Sequence, residues 1–320
     1  MSIAIIGGGI AGLTVAYHLV RGGETVDIYE KNDIVADECS FANGGQISAC
    51  NFQTLHTLSN LKKGLFWLFK KDAPLHISQS LDLDKIRWIT KFLGTTIQGK
   101  NFENSIKTLD LAMLSRREYK KYFSEFSREE VGHSPAYKGM LRLFDSQKDM
   151  DAAHSMIEMI EDYNYDKDDT NKLKFREVRT KEIDLPNFGS EIVGGYLFKD
   201  DGIADINALC EQMLTYLQTT PNFTLHINSA VTYIEKTSLG SNILLVNGEH
   251  SNGIYESVVI ATGWRANILS KQFGTTLNLY PVKGYSISIE CYSEDKAPDY
   301  SLLHDSKKLY LLPFDIPMGG

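Results

Sequence analysis

Gly7, Gly9, Gly12 and Glu30 have the residue types and the spacing to hold a dinucleotide. The glycines fall in the run Gly7-Gly8-Gly9-Ile10-Ala11-Gly12, and the acid comes eighteen residues after Gly12. Glycine at the first position permits a tight turn, and at the second it puts no side chain between backbone and pyrophosphate. At the third it lets a helix pack closely on a strand. The N–H groups at the start of that helix face the phosphate charge. Glu30 is placed to accept hydrogen bonds from an adenosine ribose, with Lys31 beside it and Ile6, Ile10 and Ala11 in the turn itself. The competing reading is a glycine-rich turn with a structural role alone.

The elements that must position these residues surround them. Ser2 to Ile6 is an apolar run of strand length, and Leu13, Ala16, Tyr17, Leu19 and Val20 recur at helical spacing until Gly22-Gly23. A second strand, Glu24 to Tyr29, ends on the acid. Strand, glycine turn, helix, strand and acid stand in the order of a dinucleotide-binding βαβ unit. NAD and FAD share this cradle.

Composition narrows the field. At 320 residues the chain has room for one or two domains, and its 42% hydrophobic and 23% charged residues are those of a soluble globular protein. A net charge of −8 and the lack of a basic arm argue against a nucleic-acid partner. The N-terminus begins within a strand, which leaves no room for a signal peptide and favours the cytoplasm. No apolar run reaches the ~20 residues that span a bilayer. Cys39, Cys50, Cys210 and Cys291 lack CxxC spacing and read as thiols, and no metal site is expected.

After Glu30, the stretch Ser40-Phe41-Ala42-Asn43-Gly44-Gly45-Gln46-Ile47-Ser48 reads as a loop. It is either a surface loop or a second backbone surface approaching the ligand. Helices are expected over 83–93 and 102–126, as a helical insertion. Leu65 to Phe69, flanked by Lys62, Lys63, Lys70 and Lys71, is either the core of a short helix or a basic aromatic patch that docks on a membrane. A strand over 137–144, a helix over 149–163 and an exposed charged loop over 161–172 follow. Leu185-Pro186 and Gly189 break the chain before a strand over 192–198. Asp200-Asp201-Gly202 is a turn, and Asp205 caps a helix over 206–217.

Strands over 223–227, 231–234 and 243–246 form a meander that feeds the buried strand Ser257 to Gly263. A Val-Val-Ile strand ending in Ala261-Thr262-Gly263 after a meander returns the chain to the parallel sheet near the pyrophosphate. An NAD domain would continue with alternating βα units soon after residue 30, and this chain does not. FAD is therefore the expected cofactor.

The chain resembles the FAD-dependent D-amino acid dehydrogenases (small subunit), within the wider D-amino acid and glycine oxidase group. The resemblance rests on the glycine motif, the Ser40–Ser48 segment, Arg87-Trp88, Gly139 to Phe144 with Gln147-Lys148, Ala261-Thr262-Gly263, and Pro281-Val282-Lys283-Gly284-Tyr285-Ser286-Ile287. It implies an α/β fold, with a Rossmann-like FAD domain over 1–55 and 195–275. An interleaved substrate domain with the helical insertion would cover 56–194 and 276–320. It implies oxidation of a D-amino acid, with electrons passing to a respiratory acceptor such as a quinone and with peripheral contact to the inner face of the membrane. Another small amine or a 2-hydroxy acid is the alternative substrate, and an inactive FAD-binding remnant the alternative from outside enzymes. By the same resemblance Ser40, Asn43, Gly44, Gly45, Gln46 and Ile47 run beside the pyrophosphate and ring. Val231 meets the adenine, Thr262 and Gly263 line the cradle, and Tyr285, on a strand, faces the substrate or simply packs on its sheet. No acid or base is assigned. The family continues past Gly320, and where many relatives place a carboxylate-binding arginine this chain has Tyr310 to Phe314.

Overall fold

The structure is a computed structural model that describes residues 2–54, 82–126, 138–164, 173–179, 191–238, 242–251, 253–287, 289–290, 300–304, 306–307 and 309–313. The Leu65–Phe69 patch, Leu185-Pro186, Gly189 and Phe314 lie outside them. The chain forms two compact units, Met1–Asn43 with Asp205–Ser286, and Gly44–Ala204 with Ile287–Gly320. The expected boundaries lie near 55, 195 and 275; in this division Gly44 to Ile47 fall in the second unit.

The first unit opens with β1 (Ser2–Ile6), α1 (Ile10–Arg21) and β2 (Thr25–Tyr29). β1 pairs in parallel with β2 and, on its other side, with β12 (Ser257–Ile260), Ile3 standing opposite Ser257. β8 (Phe223–His226) lies parallel to β2. This corrects the expected meander: its first strand belongs to the parallel sheet, whose order is β12-β1-β2-β8. β12 is also shorter than expected, since the strand stops at Ile260, and its apolar residues are only half-buried because it lies at the sheet's edge.

Alternation along β1 sends Ile5 toward α1, where a Cβ on Gly12 would meet its Cγ2, and Ala4 and Ile6 to the opposite face. There they pack with Tyr29, Ile234, Leu244, Tyr255 and Leu269. Ile234 and Leu244 come from β9 (Val231–Lys236) and β10 (Asn242–Val246), which with β11 (Glu249–His250) make the antiparallel meander. On the helical side α5 (Ile206–Gln218) packs beside α1, with the Tyr17 and Tyr216 rings 5.6 Å apart. The Asp205 carboxylate accepts the Ala208 N–H at 2.9 Å and caps α5. Asp205→Ala should lower the unfolding free energy by about 1 kcal/mol, read from the urea midpoint at unchanged m, while Asp205→Asn keeps most of it.

The second unit is built on the sheet β14-β13-β4-β6-β5. Its strands are β4 (Met140–Phe144), β5 (Phe175–Arg179), β6 (Gly194–Phe198), β13 (Ser301–His304) and β14 (Leu309–Leu311). β4 and β13 run parallel and the other pairs antiparallel. One face packs Met140, Phe144, Tyr196 and Phe198 against Leu109 and Met113 of α3 (Asn101–Phe126) and Met150, Ile157 and Ile160 of α4 (Gln147–Asn164). The other face buries Leu141, Leu143, Val178, Ile192, Leu197 and Leu302. α4 ends at Asn164, one residue past the expected helix end, and residues 165–172 of the expected charged loop lie outside the described residues.

α2 (Leu83–Ile97) starts on Asp82, whose carboxylate accepts the Asp84 N–H. Among the described residues, no helix is long and apolar enough to cross a membrane.

Candidate functional site

The glycine turn joins β1 to α1 by contacts that admit no side chain. Gly7 has φ +107°, and a Cβ there would stand 2.7 Å from the Ala261 carbonyl oxygen. A Cβ on Gly12 would stand 1.9 Å from the Gly7 carbonyl oxygen, far inside any real contact. The helix begins at Gly9 with no side-chain cap and no acid in its first turn. Its positive end favours an anion, although Ser40 Oγ already takes the first N–H, that of Ile10.

Glu30 is buried at the end of β2. Its Oε2 accepts the Gly8 N–H at 2.7 Å and its Oε1 the Asn32 N–H at 2.9 Å. A carboxylate offers about four acceptor positions, so two remain for hydroxyl donors such as those of a ribose. The Ile10 N–H donates to Ser40 Oγ at 3.0 Å, and Asn43 Nδ2 donates to the Ser40 carbonyl at 2.6 Å. The loop after β2 is thus tied to the start of α1. Thr262 lies against Gly7, and its buried Oγ1 has no hydrogen-bond partner among the described residues. A buried hydroxyl without a partner costs about 1–3 kcal/mol, which a ligand's polar atom would offset.

These observations bring Ile6, Gly7, Gly9, Ile10, Gly12, Glu30, Ser40, Asn43 and Thr262 to one end of the parallel sheet. Ala11 lies on the exposed first turn of α1, and Gly263 opens a short 3₁₀ turn at φ +54°. Lys31 points elsewhere: its ammonium pairs with Glu38 at 2.5 Å, and Glu38 also binds Arg265. The hydrogen bond from Lys31 is the main reason Glu38 sits below the usual carboxylate range. Val231 begins β9 and packs on the meander core. Tyr285 corrects an expectation. Residues 275–287 form no regular element, and Tyr285 is 88% exposed rather than held on a strand. Pro281 lacks an N–H and Gly284 resists ordering, which disfavours a ladder here.

In the second unit, Gln46 and Ile47 form a two-residue strand, β3, where only loop was expected. It pairs antiparallel with β7 (Gly202–Ile203), and the Ala204 N–H donates to the Gly45 carbonyl at 2.8 Å. Asp201, next to β7, is fully buried. Its carboxylate accepts the Ala49 N–H at 3.1 Å, the Cys50 N–H at 2.9 Å, the Ser48 hydroxyl at 3.0 Å and Arg116 Nη1 at 2.8 Å. Sequence reasoning took Asp201 for a turn residue and passed over Arg116. One signal was available. On α3 the buried positions Leu109, Met113, Arg116 and Phe123 follow one stripe, and a charge in an apolar stripe needs a buried partner. Burial, and next the Asp201 charge, push the Cys50 thiol far up, so it stays protonated and is no nucleophile.

A parallel sheet carrying a glycine turn, a buried acid and a helix start free of acidic residues defines a Rossmann-type dinucleotide-binding protein. Residues 2–319 match the model of the DAO family, FAD dependent oxidoreductases, and the chain belongs to that family with FAD as its cofactor. The residues present fit FAD, since the Glu30 carboxylate keeps acceptor positions for a ribose and the buried Thr262 hydroxyl has no partner among the described residues.

Among its relatives, D-amino acid dehydrogenase 3 of Mesorhizobium japonicum is 29% identical over 310 residues, 96% of this chain and 72% of that protein. The D-amino acid dehydrogenase of Neisseria meningitidis (serogroup C strain FAM18) is 27% identical over 323 residues, 100% of this chain and 75% of that protein. Two solved structures are similar in fold. Glycine oxidase from Geobacillus kaustophilus has a TM-score of 0.64 at 16% identity, covering 98% of this chain and 68% of its own. Iminodiacetate oxidase from Chelativorans sp. BNC1 has a TM-score of 0.58 at 16% identity, covering 98% and 69%.

Proposed function

We propose that the chain oxidises a D-amino acid at its α-carbon, yielding a 2-oxo acid and ammonia. The observation that carries this reading is the alignment of proteins named D-amino acid dehydrogenase along 96% to 100% of the chain. FAD, when bound, would supply a two-electron acceptor for the substrate hydride, and a respiratory acceptor, a quinone in this reading, would take the electrons onward.

The chain's own residues hold and orient. The first turn of α1 would hold the phosphates, Glu30 would accept from the ribose, and the Thr262 hydroxyl would pair with a polar atom of the ADP portion. The substrate amine binds neutral, and its lone pair assists as hydride leaves the α-carbon, giving an iminium. Water adds to that carbon and ammonia departs. No protein acid or base is required; placing the α-carbon is the chain's contribution to rate.

The FAD-loaded chain, mixed anaerobically with D-alanine or a panel of other D-amino acids, should lose its yellow absorption, while the L-enantiomers leave it unchanged. Bleaching by a 2-hydroxy acid or a non-amino-acid amine alone would move the substrate class. A flavin that no D-amino acid bleaches would overturn the proposal.

A further inference from the structure

We infer that Glu38 and Arg265 are positioning residues for FAD, their ion pair acting as a clasp between the two loops of the dinucleotide cradle. Every part of it lies in the first unit. One loop leaves β2 at Tyr29 and the other leaves β12 at Ile260. The first carries Ser40, whose Oγ accepts the Ile10 N–H at 3.0 Å. The second carries Thr262, whose Cα would stand 3.4 Å from a Cβ on Gly7. Backbone hydrogen bonds tie each of these residues to its half of the pair. The Phe41 and Ala42 N–H groups donate to the Glu38 carbonyl at 3.1 and 3.0 Å, and the Arg265 N–H donates to the Thr262 carbonyl at 3.1 Å. The Glu38 carboxylate accepts from Arg265 Nη1, 227 residues away, and from Lys31 of its own loop.

Gly7, Thr262, Arg265, Glu38, Ser40 and Ile10 thus form a ring of contacts, closed by the glycine turn. β2 and β12 lie on opposite sides of β1, so the sheet alone leaves the two loops two strand spacings apart, about 10 Å. The ion pair bridges that gap. The Arg265 guanidinium is also held 4.4 Å over the Trp264 ring, which restricts where its planar fork can reach. Global stability does not account for the pair. Its side chains are 34% and 39% exposed, and an exposed pair contributes only about 0–1 kcal/mol. What it sets is local. With the pair broken, the loops can part without unfolding of the sheet, and the cradle at the start of α1 opens.

A clasp and a simple field effect predict opposite signs. FAD carries phosphate charge, so by field alone Glu38→Gln would tighten binding and Arg265→Gln would weaken it. A clasp needs both partners. Each variant should weaken FAD about fivefold through faster release, and the double variant should be no weaker than either single one. Fluorescence titration of the 320-residue chain gives the affinities, and stopped-flow dilution gives the release rates. ADP, titrated in competition with FAD, should weaken by the same factor, because it is the part of the cofactor that this cradle holds. Glu235→Gln breaks the exposed Glu235–His250 pair on the meander and should leave both affinities within about twofold.

Tighter or unchanged FAD binding in Glu38→Gln would overturn the inference. So would additive losses in the double variant, or a loss for FAD that ADP does not share. The inference rests on the reading of the glycine turn and Thr262 as the cofactor cradle, and Gly12→Ala separates the two levels. Normal FAD binding by Gly12→Ala would refute the cradle itself. Loss of FAD there, with wild-type binding in Glu38→Gln and Arg265→Gln, would refute the clasp alone.

Discussion

Gly12→Ala is expected to cost the protein its FAD. A methyl group at Gly12 would lie 1.9 Å from the Gly7 carbonyl oxygen, where ordinary contact begins at 3.4 Å. The obstacle is backbone, so no rotamer relieves it. α1 must move off β1, and the N–H groups of its first turn move with it. A dinucleotide site depends on that approach, so FAD affinity should fall at least about a hundredfold, or about 2.8 kcal/mol.

Fluorescence titration measures the loss, and circular dichroism checks that helix and sheet persist. Gly94→Ala is the contrasting change. Gly94 lies within α2 with nothing within 4 Å of an added Cβ, so FAD binding should stay as it was. Stability there should rise by about 0.5–1 kcal/mol. Wild-type affinity in Gly12→Ala would refute this account of the cradle.

The second large effect is alkaline instability. Cys210 is fully buried on α5, and burial, then the charges of Asp205 and Glu211, push its thiol up to about 12 from 9.0. Cys50 is raised by burial and by Asp201. The sign follows from which state holds the proton. Once the pH passes the unfolded thiol's value, the unfolded chain releases protons that the native state keeps, so stability falls as pH rises.

The contribution is fully present below about pH 9 and is lost progressively toward pH 12. For Cys210 the loss across that window is about 4 kcal/mol, and each buried thiol adds about 1.4 kcal/mol per pH unit to the slope. Tyr29, Tyr122, Tyr196 and Tyr255 are all raised, chiefly by burial, and extend the decline above about pH 10. Urea unfolding at a series of pH values should therefore give a steep descending limb. Cys210→Ala should shallow it by one proton, whatever it does to the absolute stability. An unaltered slope in that variant would mean the thiol titrates alike in both states.

How much of this was legible beforehand depended on range. β1, α1 and β2 are consecutive, and their apolar periods, glycines and caps are local properties, so the unit could be read directly. Asp205 as a cap was legible for the same reason. β8 was not, because Phe223 to His226 looks like any short strand and only its parallel pairing with β2 assigns its sheet. β5 carries two arginines and a glutamate in five residues, and its apolar signal was too thin to find. β13 and β14 are four and three residues long, below the length at which a period can be seen.

The candidate site divides the same way. Gly7, Gly12 and Glu30 announced themselves by spacing. Asp201 and Arg116 stand 85 residues apart, and each is ordinary until the other is beside it. The Tyr255 hydroxyl, which donates to Asp27 and receives the Tyr29 hydroxyl at 2.6 Å, was hidden for the same reason.

The pairing of β1 with β12 also sets when the protein can fold. β2 ends at Tyr29, but the strand that covers the other side of β1 begins at Ser257. At roughly 5–20 residues per second, a ribosome takes some tens of seconds to cross that gap. For all that time Ala4 and Ile6 lack the meander that buries them, and an apolar strand edge stands open. The cofactor cradle is thus among the first parts to be synthesised, while the strand that completes its sheet follows the helices α2 to α4 of the second unit in the chain.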